Sequence, residues 1–364
     1  MNHGYYAARV SKIYHMSVPG DITAGVDGPD HGASWTERFN SHAPEQWTEG
    51  KHEHLTNEKL KPDPQRNKHY GLGYGGAFYV VRGAGDGAEQ ADHKTAAKAV
   101  ELLEARTKDQ QSFFLAVGLV RPHVPLVAPA KFFEPYPAAE MKLPPSVAND
   151  WEDIPKPGIS KNSRGSGLGT DLAKQQVLEA YYASVAYMDA QVGKIVAAVD
   201  RLQLRDNTII VFTADHGYHL GEHDFWQKMS LHEESTRIPL IIHVPGKKPS
   251  VSPALSQQID IYPTLAELGG LPIPPHVQGK SLAKALNDPQ QVVHEAVYCL
   301  RGKNDHLLRT DRWAMIRYGS GDVELYDMPA DPQQFTNLAD TPEHQATLKE
   351  LSAQLDAKLN AIKP

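Results

Sequence analysis

One cysteine in 364 residues leaves no internal disulfide to consider. Cys299 lies in Tyr298-Cys299-Leu300-Arg301-Gly302, and its expected role is that of a small apolar side chain in the interior. Long hydrophobic runs are missing too. No stretch approaches the ~18 apolar residues of a membrane span. The start, Met1-Asn2-His3-Gly4-Tyr5-Tyr6, has no basic end with an apolar stretch behind it, so no signal peptide is legible. Basic residues are not in excess either. A net charge of −7 and a pI near 6.2 argue against nucleic acid as a partner. A small anionic ligand would have to rely on a local cluster such as Lys12, His15, Arg121, His123 and Lys228. There is no internal repeat, no long low-complexity tract, and nowhere do two aspartates stand side by side.

What is present reads as a layered α/β protein: a central mixed sheet flanked by helices, with a small C-terminal α+β subdomain carrying an antiparallel sheet. At the usual ~100–200 residues per domain, the length suits two unequal domains. The apolar pattern divides near Asn287, giving an expected core over 1–287 and a subdomain over 288–364. Residues 17 to 90 are rich in Gly, His, Pro and charge and read as long loops. Thr95 to Arg106 reads as a helix leading into a strand at Phe113. A longer amphipathic helix carries Val177, Tyr181, Ser184, Val185, Met188, Val192, Ile195, Val196, Val199 and Leu202 at three- and four-residue spacing, a core stripe. Another starts at Asp260, with Pro263 in its first turn, and stops near Gly269-Gly270. Beyond it come strand-like runs at Ala296–Leu300 and Arg312–Arg317 and a final helix over 342–359.

Chemistry concentrates after the β-branched run Thr208-Ile209-Ile210-Val211-Phe212-Thr213. That run ends in Ala214-Asp215-His216-Gly217, followed by Leu220-Gly221-Glu222-His223 and Lys228. Polar residues just past the C-terminal end of a buried strand occupy the place where open α/β sheets hold ligands. An adjacent Asp and His can turn toward one metal, and a following lysine can hold an anion there. Taken alone, with 18 histidines in the chain, the tripeptide also reads as a solvated loop. Lys12 and Lys228 alone read as surface charges, and His123 between two prolines as a brace for a rigid turn. Glu222 and His223 fit either the shaping of a pocket or a solvated loop.

From Thr208 to Gly246 the chain resembles the sulfatase family of the alkaline-phosphatase superfamily, most closely its iduronate-2-sulfatase group. Ser11-Lys12-Ile13-Tyr14-His15 is similar to that family's Gly-Lys-x-x-His element, with Ser11 in the glycine position. Phe113 to Gly118 followed by Arg121-Pro122-His123-Val124-Pro125 resembles its strand and Pro-His-x-Pro turn. Glu324-Leu325-Tyr326-Asp327-Met328-Pro329-Ala330-Asp331-Pro332 resembles its closing signature, in which aspartates and prolines make turns. The resemblance implies hydrolysis of a sulfate ester, that of a sulfated saccharide, by a formylglycine hydrate beside a calcium ion. It implies metal ligands in Asp215 and His216, sulfate contacts from Lys228 and His123, Lys12 beside the formylglycine, and His15 as the group that deprotonates its hydrate. Relatives of this kind are often exported to the periplasm, the lysosome or outside the cell; the compartment of this chain is not legible.

One departure is large. The family's nucleophile lies in Cys/Ser-x-Pro/Ala-x-Arg upstream of the Lys-x-x-His element, after a pair of acidic metal ligands, and only residues 1–11 precede Lys12. Cys299 lacks the Pro/Ala and the spaced Arg, and Ser17-Val18-Pro19-Gly20-Asp21 lacks the Arg. Three readings follow: a sulfatase whose N-terminal segment lies outside this sequence, a catalytically silent sulfatase-like anion-binding protein, or a metal phosphoesterase of the same superfamily. The third draws on the preference of an Asp-His pair for zinc over calcium. A core without its first strand would leave ladder groups exposed, so marginal stability or self-association into a homo-oligomer is expected.

Overall fold

Tyr6, Ala8 and Val10 alternate with Ala7, Arg9 and Ser11, and this period of two makes Tyr6–Ser11 a strand, β1, buried along its whole length. The structure is a computed structural model and describes residues 3–55 and 78–361. The chain forms two compact units, one from Met1–Leu143 with Ser163–Thr208, the other from Pro144–Asn162 with Ile209–Pro364.

In the first unit β1 lies between β2 (Glu37–Phe39) and β5 (Phe113–Gly118) and runs parallel to both. A parallel pair needs a long crossover. Part of it is the helix Ala91–Asp109, which sets Leu102 against Tyr6, Ala8 and Val10, with Phe39, Phe113 and Leu115 around them. A second sheet has β4 (Tyr79–Gly83) in its centre, antiparallel to β3 (Gly50–His54) and parallel to β6 (Leu126–Pro129). Tyr79, Val81 and Val127 cluster in its interior. Among its described residues, the region expected to be loops therefore contains three strands and a one-turn helix, Gly20–Ala24. These strands are only three to five residues long, too short for a period to stand out from the Gly and His around them.

The helix Asp171–Arg201 is capped by Thr170, whose Oγ1 accepts the Ala173 N–H at 3.2 Å, and it packs on the helix Ala91–Asp109 and on β6. Its most enclosed side is not quite the expected stripe. Val177, Ser184 and Val199 are buried as expected, together with Ala180, Ala183, Tyr187, Gln191 and Ala198, while Tyr181, Val185, Met188 and Val192 are half-buried. Alanines let the two helices approach closely, so the small side of the helix faces in rather than the bulkiest one.

In the second unit β7 (Ile210–Thr213) pairs antiparallel with β10 (Leu240–His243), and β8 (His219–Leu220) with β9 (Trp226–Gln227). The helix Ile261–Leu268 agrees with its sequence signal, although Asp260 does more than begin it. Its buried carboxylate accepts from Gln257 N and Lys280 N and meets His294 Nε2 at 2.9 Å. The expected C-terminal antiparallel sheet is present, in the order β11 (Ala296–Arg301), β12 (Asp305–Thr310), β13 (Trp313–Arg317), β14 (Val323–Asp327). Alternation gives it two apolar faces. Leu308, Met315 and Leu325 meet Leu351 and Leu355 of the helix Gln345–Ala361, while Leu307, Ala314, Ile316 and Tyr326 face Leu231 with Cys299 packed alongside. Cys299 thus packs as a small apolar side chain, although it is half-buried rather than interior, and burial pushes its thiol pKa up.

Met315 is fully buried on the helix-covered face, so Met315→Ala is expected to cost about 2–5 kcal/mol in urea unfolding. Val251→Ser, at a position 90% exposed, should stay within about 0.5 kcal/mol of the parent. Equal midpoints for the two variants would contradict this account of the core.

Candidate functional site

Parallel pairing in register Ser11↔Gly118 brings the ends of β1 and β5 together, so Lys12 and the turn carrying His123 leave the sheet at one edge. Lys12 N donates to Gly118 O at 3.2 Å. A Cβ on residue 118 would fall 1.8 Å from Lys12 O, so this approach requires glycine. His15 is exposed. Its neighbour Met16 is buried with Val18 and Val120, which ties the loop after β1 to the turn after β5. Ser17, in the nearest imitation of a nucleophile motif, donates its backbone N–H to Asp21 at the start of the short helix.

His123 is held from both sides of its ring and backbone. Its N–H donates to Val120 O at 2.9 Å, and Nδ1 lies 2.6 Å from Val124 O. A carbonyl only accepts, so Nδ1 carries the proton and the lone pair of the neutral ring belongs to Nε2. Arg121, expected among the anion-binding cations, is not one of them. Its side chain is 1% exposed and is paired with Glu45, because the guanidinium turns inward to backbone carbonyls.

The second unit carries Asp215, His216 and Lys228. Asp215 and His216 follow β7, with side chains 64% and 32% exposed and His216 Nε2 3.6 Å from Asp215 Oδ2. His216 Nδ1 lies 2.8 Å from Gly217 O, the same arrangement as at His123. Gly217 N donates to Ser235 O, and a Cβ there would lie 2.0 Å from Glu234 O, so this turn too is pressed against its neighbour. Lys228 follows β9 directly.

In and beside the β8–β9 pair sit residues whose role the sequence did not disclose. His219, His223 and His232 are buried with ring centroids 4.9–6.2 Å apart. His223 bonds Asp150 at 2.8 Å, and His232 bonds Ser230 and Glu324. Glu324 also accepts from Tyr318 and Tyr326. Both His232 nitrogens are thus engaged, and no group of three or more His, Cys, Asp or Glu among the described residues could hold a metal ion. His223 therefore braces the loop from within, and Glu222 does so by accepting the Leu220 N–H.

Calcium takes six to eight oxygens. Asp215 and His216 offer two side-chain groups, one of them nitrogen, so these residues do not by themselves make a calcium shell, and an Asp-His pair suits zinc better.

The sulfatase family profile matches residues 30–271, across the Pro-His turn, the Asp-His-Gly turn and Lys228. The chain belongs to the sulfatase family. A second profile, N-sulphoglucosamine sulphohydrolase, C-terminal, matches residues 221–361 of this sulfatase-family chain. It is 34% identical over 270 residues to a sulfatase of Formosa agariphila, covering 71% of this chain and 52% of that protein. With human iduronate 2-sulfatase it shares 33% identity over 244 residues, covering 53% of this chain and 44% of the relative. The chain thus spans about half the length of these curated relatives. Among solved structures, BT4656 in complex with its substrate D-glucosamine-2-N,6-O-disulfate has a TM-score of 0.70 at 19% identity, covering 99% of this chain and 80% of that one. Phosphonate monoester hydrolase from Silicibacter pomeroyi has a TM-score of 0.69 at 25% identity, covering 82% and 63%. These likenesses show a shared sulfatase-like fold.

The histidine cluster gives the sulfatase-family chain a definite response to acid. Burial, with His232 and His223 beside it, holds His219 well below the ordinary histidine range, so folding favours the neutral ring. Its contribution is complete above the unfolded value of ~6.5 and is lost as pH falls. His223 has the opposite sign: burial opposes its charge, but the bond to Asp150 together with the charges of Asp150, Glu234 and Glu324 outweighs burial and raises its pKa, so its contribution is lost as pH rises. His219→Phe should therefore flatten the fall in stability between about pH 6.5 and 5 by up to one proton, ~1.4 kcal/mol per pH unit. Urea midpoints measured across that range check it, and an unchanged slope would refute the assignment.

Proposed function

We propose that this chain carries the charge-binding and proton-transfer part of a site that hydrolyses sulfate esters of sugars. The observation that carries the reading is the exit of Lys12 and His123 from one edge of a parallel strand pair in a chain of the sulfatase family. His123 would act in its doubly protonated form, giving the leaving oxygen a proton first taken up by the Nε2 lone pair, on the side of the ring opposite its bond to Val124. Lys228 and Lys12 would hold sulfate oxygens as compact point charges. His15, exposed to solvent, would take a proton from the attacking group, and Asp215 and His216 would be the metal-facing pair.

The finer reading is an iduronate-2-sulfatase-like specificity, supported by the 33% identity to human iduronate 2-sulfatase. Sulfated sugars as a class are also favoured by the likeness to the structure bound to D-glucosamine-2-N,6-O-disulfate. The likeness to phosphonate monoester hydrolase favours a second reading, cleavage of a phosphonate monoester at the same groups.

Sulfate release from a 2-O-sulfated uronate disaccharide and from glucosamine 6-sulfate, beside cleavage of an aryl phosphonate monoester, separates these readings. Turnover of a sulfated sugar is expected, with His123→Ala and Lys228→Ala each lowering kcat/KM by about 100-fold or more. Faster cleavage of the phosphonate supports the second reading. A parent no more active than His123→Ala would leave only anion binding.

A further inference from the structure

The turn Val120–Pro125 has a backbone tied off almost group by group, and the ties lead to three buried charges. Asp92, in the first turn of its helix, accepts Val120 N at 2.7 Å and Arg121 N at 3.0 Å, one on each carboxylate oxygen. Arg121 returns its own side chain to the same turn, and Nη1 donates to His123 O at 2.7 Å and to Pro125 O at 2.8 Å. Its Nη2 pairs with Glu45 Oε2. Pro122 and Pro125 have no N–H to satisfy. Two carboxylates and one guanidinium thus fix a turn that presents the half-buried His123 ring.

The arrangement is held against evident cost. Asp92, Arg121 and Glu45 are all at least 96% buried. Burial raises the Asp92 pKa even with Arg121 beside it. Glu45 sits at φ +50°, in the left-handed region that side chains avoid, and its Oε1 is buried without a hydrogen-bond partner. Apolar residues of similar volume often stabilise as well as a buried ion pair or better, so stability alone does not account for these charges. What a guanidinium fork supplies is geometry: two carbonyls bound by one nitrogen, with the other end anchored on a carboxylate.

We infer that Arg121, clamped by Glu45 and with Asp92 fixing the start of the turn, is a positioning residue that sets the orientation and tautomer of the His123 ring. Moving His123 O shifts the peptide to Val124, and with it the Val124 carbonyl that keeps the proton on Nδ1. Lysine at 121 keeps the charge but lacks the fork, so it cannot hold both carbonyls and Glu45 in one geometry. This inference rests on the reading of His123 as the proton-transferring group.

The test has one arm with substrate and one without. In ring-labelled protein, 15N NMR reads the tautomer directly: the parent should show His123 protonated on Nδ1, and Arg121→Lys should shift it toward a mixture with Nε2. Glu45→Gln, which keeps the shape and one acceptor, should shift it the same way and serves if the lysine variant folds poorly. With a sulfated sugar, Arg121→Lys should lower kcat by about 10- to 100-fold with KM little changed. In a His123→Ala background the same substitution should add nothing. Unchanged tautomers in folded variants, or losses that multiply in the double variant, would overturn the inference. No turnover in the parent with the tautomer shift still present would count against the proposed function and leave the positioning role standing.

Discussion

The parallel pairing of Tyr6–Ser11 with Phe113–Gly118 is the constraint on which the first unit depends. Parallel strands cannot be joined by a tight turn, so the chain must leave β1, pass through β2, β3 and β4, and return through the helix Ala91–Asp109. That return covers the pair with Leu102 on one side. It also fixes which backbone ends meet. With Ser11 opposite Gly118, the loop after β1 and the turn after β5 start at the same level, and the missing Cβ at 118 lets Lys12 O close on it.

Buried charge does the finer positioning in both units, each time by binding the backbone of a loop rather than by pairing in isolation. Arg9 at the end of β1 holds Asp27 and Asp30 and donates to Ser11 O, drawing the following loop across the strand end. Arg121 and Asp92 do the same for the Pro-His turn. In the second unit Asp260 gathers Gln257, Lys280 and His294, and Glu324 gathers His232, Tyr318 and Tyr326. A carboxylate accepts several donors at once, so it can fasten segments that share no regular structure, and satisfying its lone pairs is what makes its burial tolerable.

This division explains what could be read from the sequence. The helices Ala91–Asp109, Asp171–Arg201, Ile261–Leu268 and Gln345–Ala361 and the strands β5, β7, β11 and β13 carry a period or a β-branched run within themselves, and they appear where the pattern placed them, whereas β12 and β14 were not placed. The strands β2, β3 and β4 draw their definition from partners far along the chain, and their short runs disappear among Gly, His and Pro. The candidate site divides in the same way. Lys12, His15, His123, Asp215, His216 and Lys228 could be proposed from the sequence because their motif neighbours are local. Arg121 was placed among the anion-binding cations because Glu45, 76 residues away, and Asp92, 29 away, decide its environment. The histidine cluster was hidden for the same reason, since the partners of His223 and His232 lie 73 and 92 residues away.

The two histidines of the candidate site nevertheless share a device that is wholly local. His123 and His216 each place Nδ1 against the carbonyl of the next residue, Val124 in one case and Gly217 in the other. A carbonyl cannot donate, so both rings are held as the same tautomer, with the basic nitrogen at the far corner of the ring. That corner holds the ring's lone pair and projects furthest from the backbone, so any proton or metal the ring takes up would be met there. The price is a backbone that must bring the next carbonyl back over the ring, and each turn meets it differently. At His123 the proline-flanked turn is fixed by Arg121 and Asp92; at His216 the glycine that follows packs against Glu234 O, where no side chain would fit. One requirement of the imidazole thus accounts for a buried arginine in one unit and an obligatory glycine in the other.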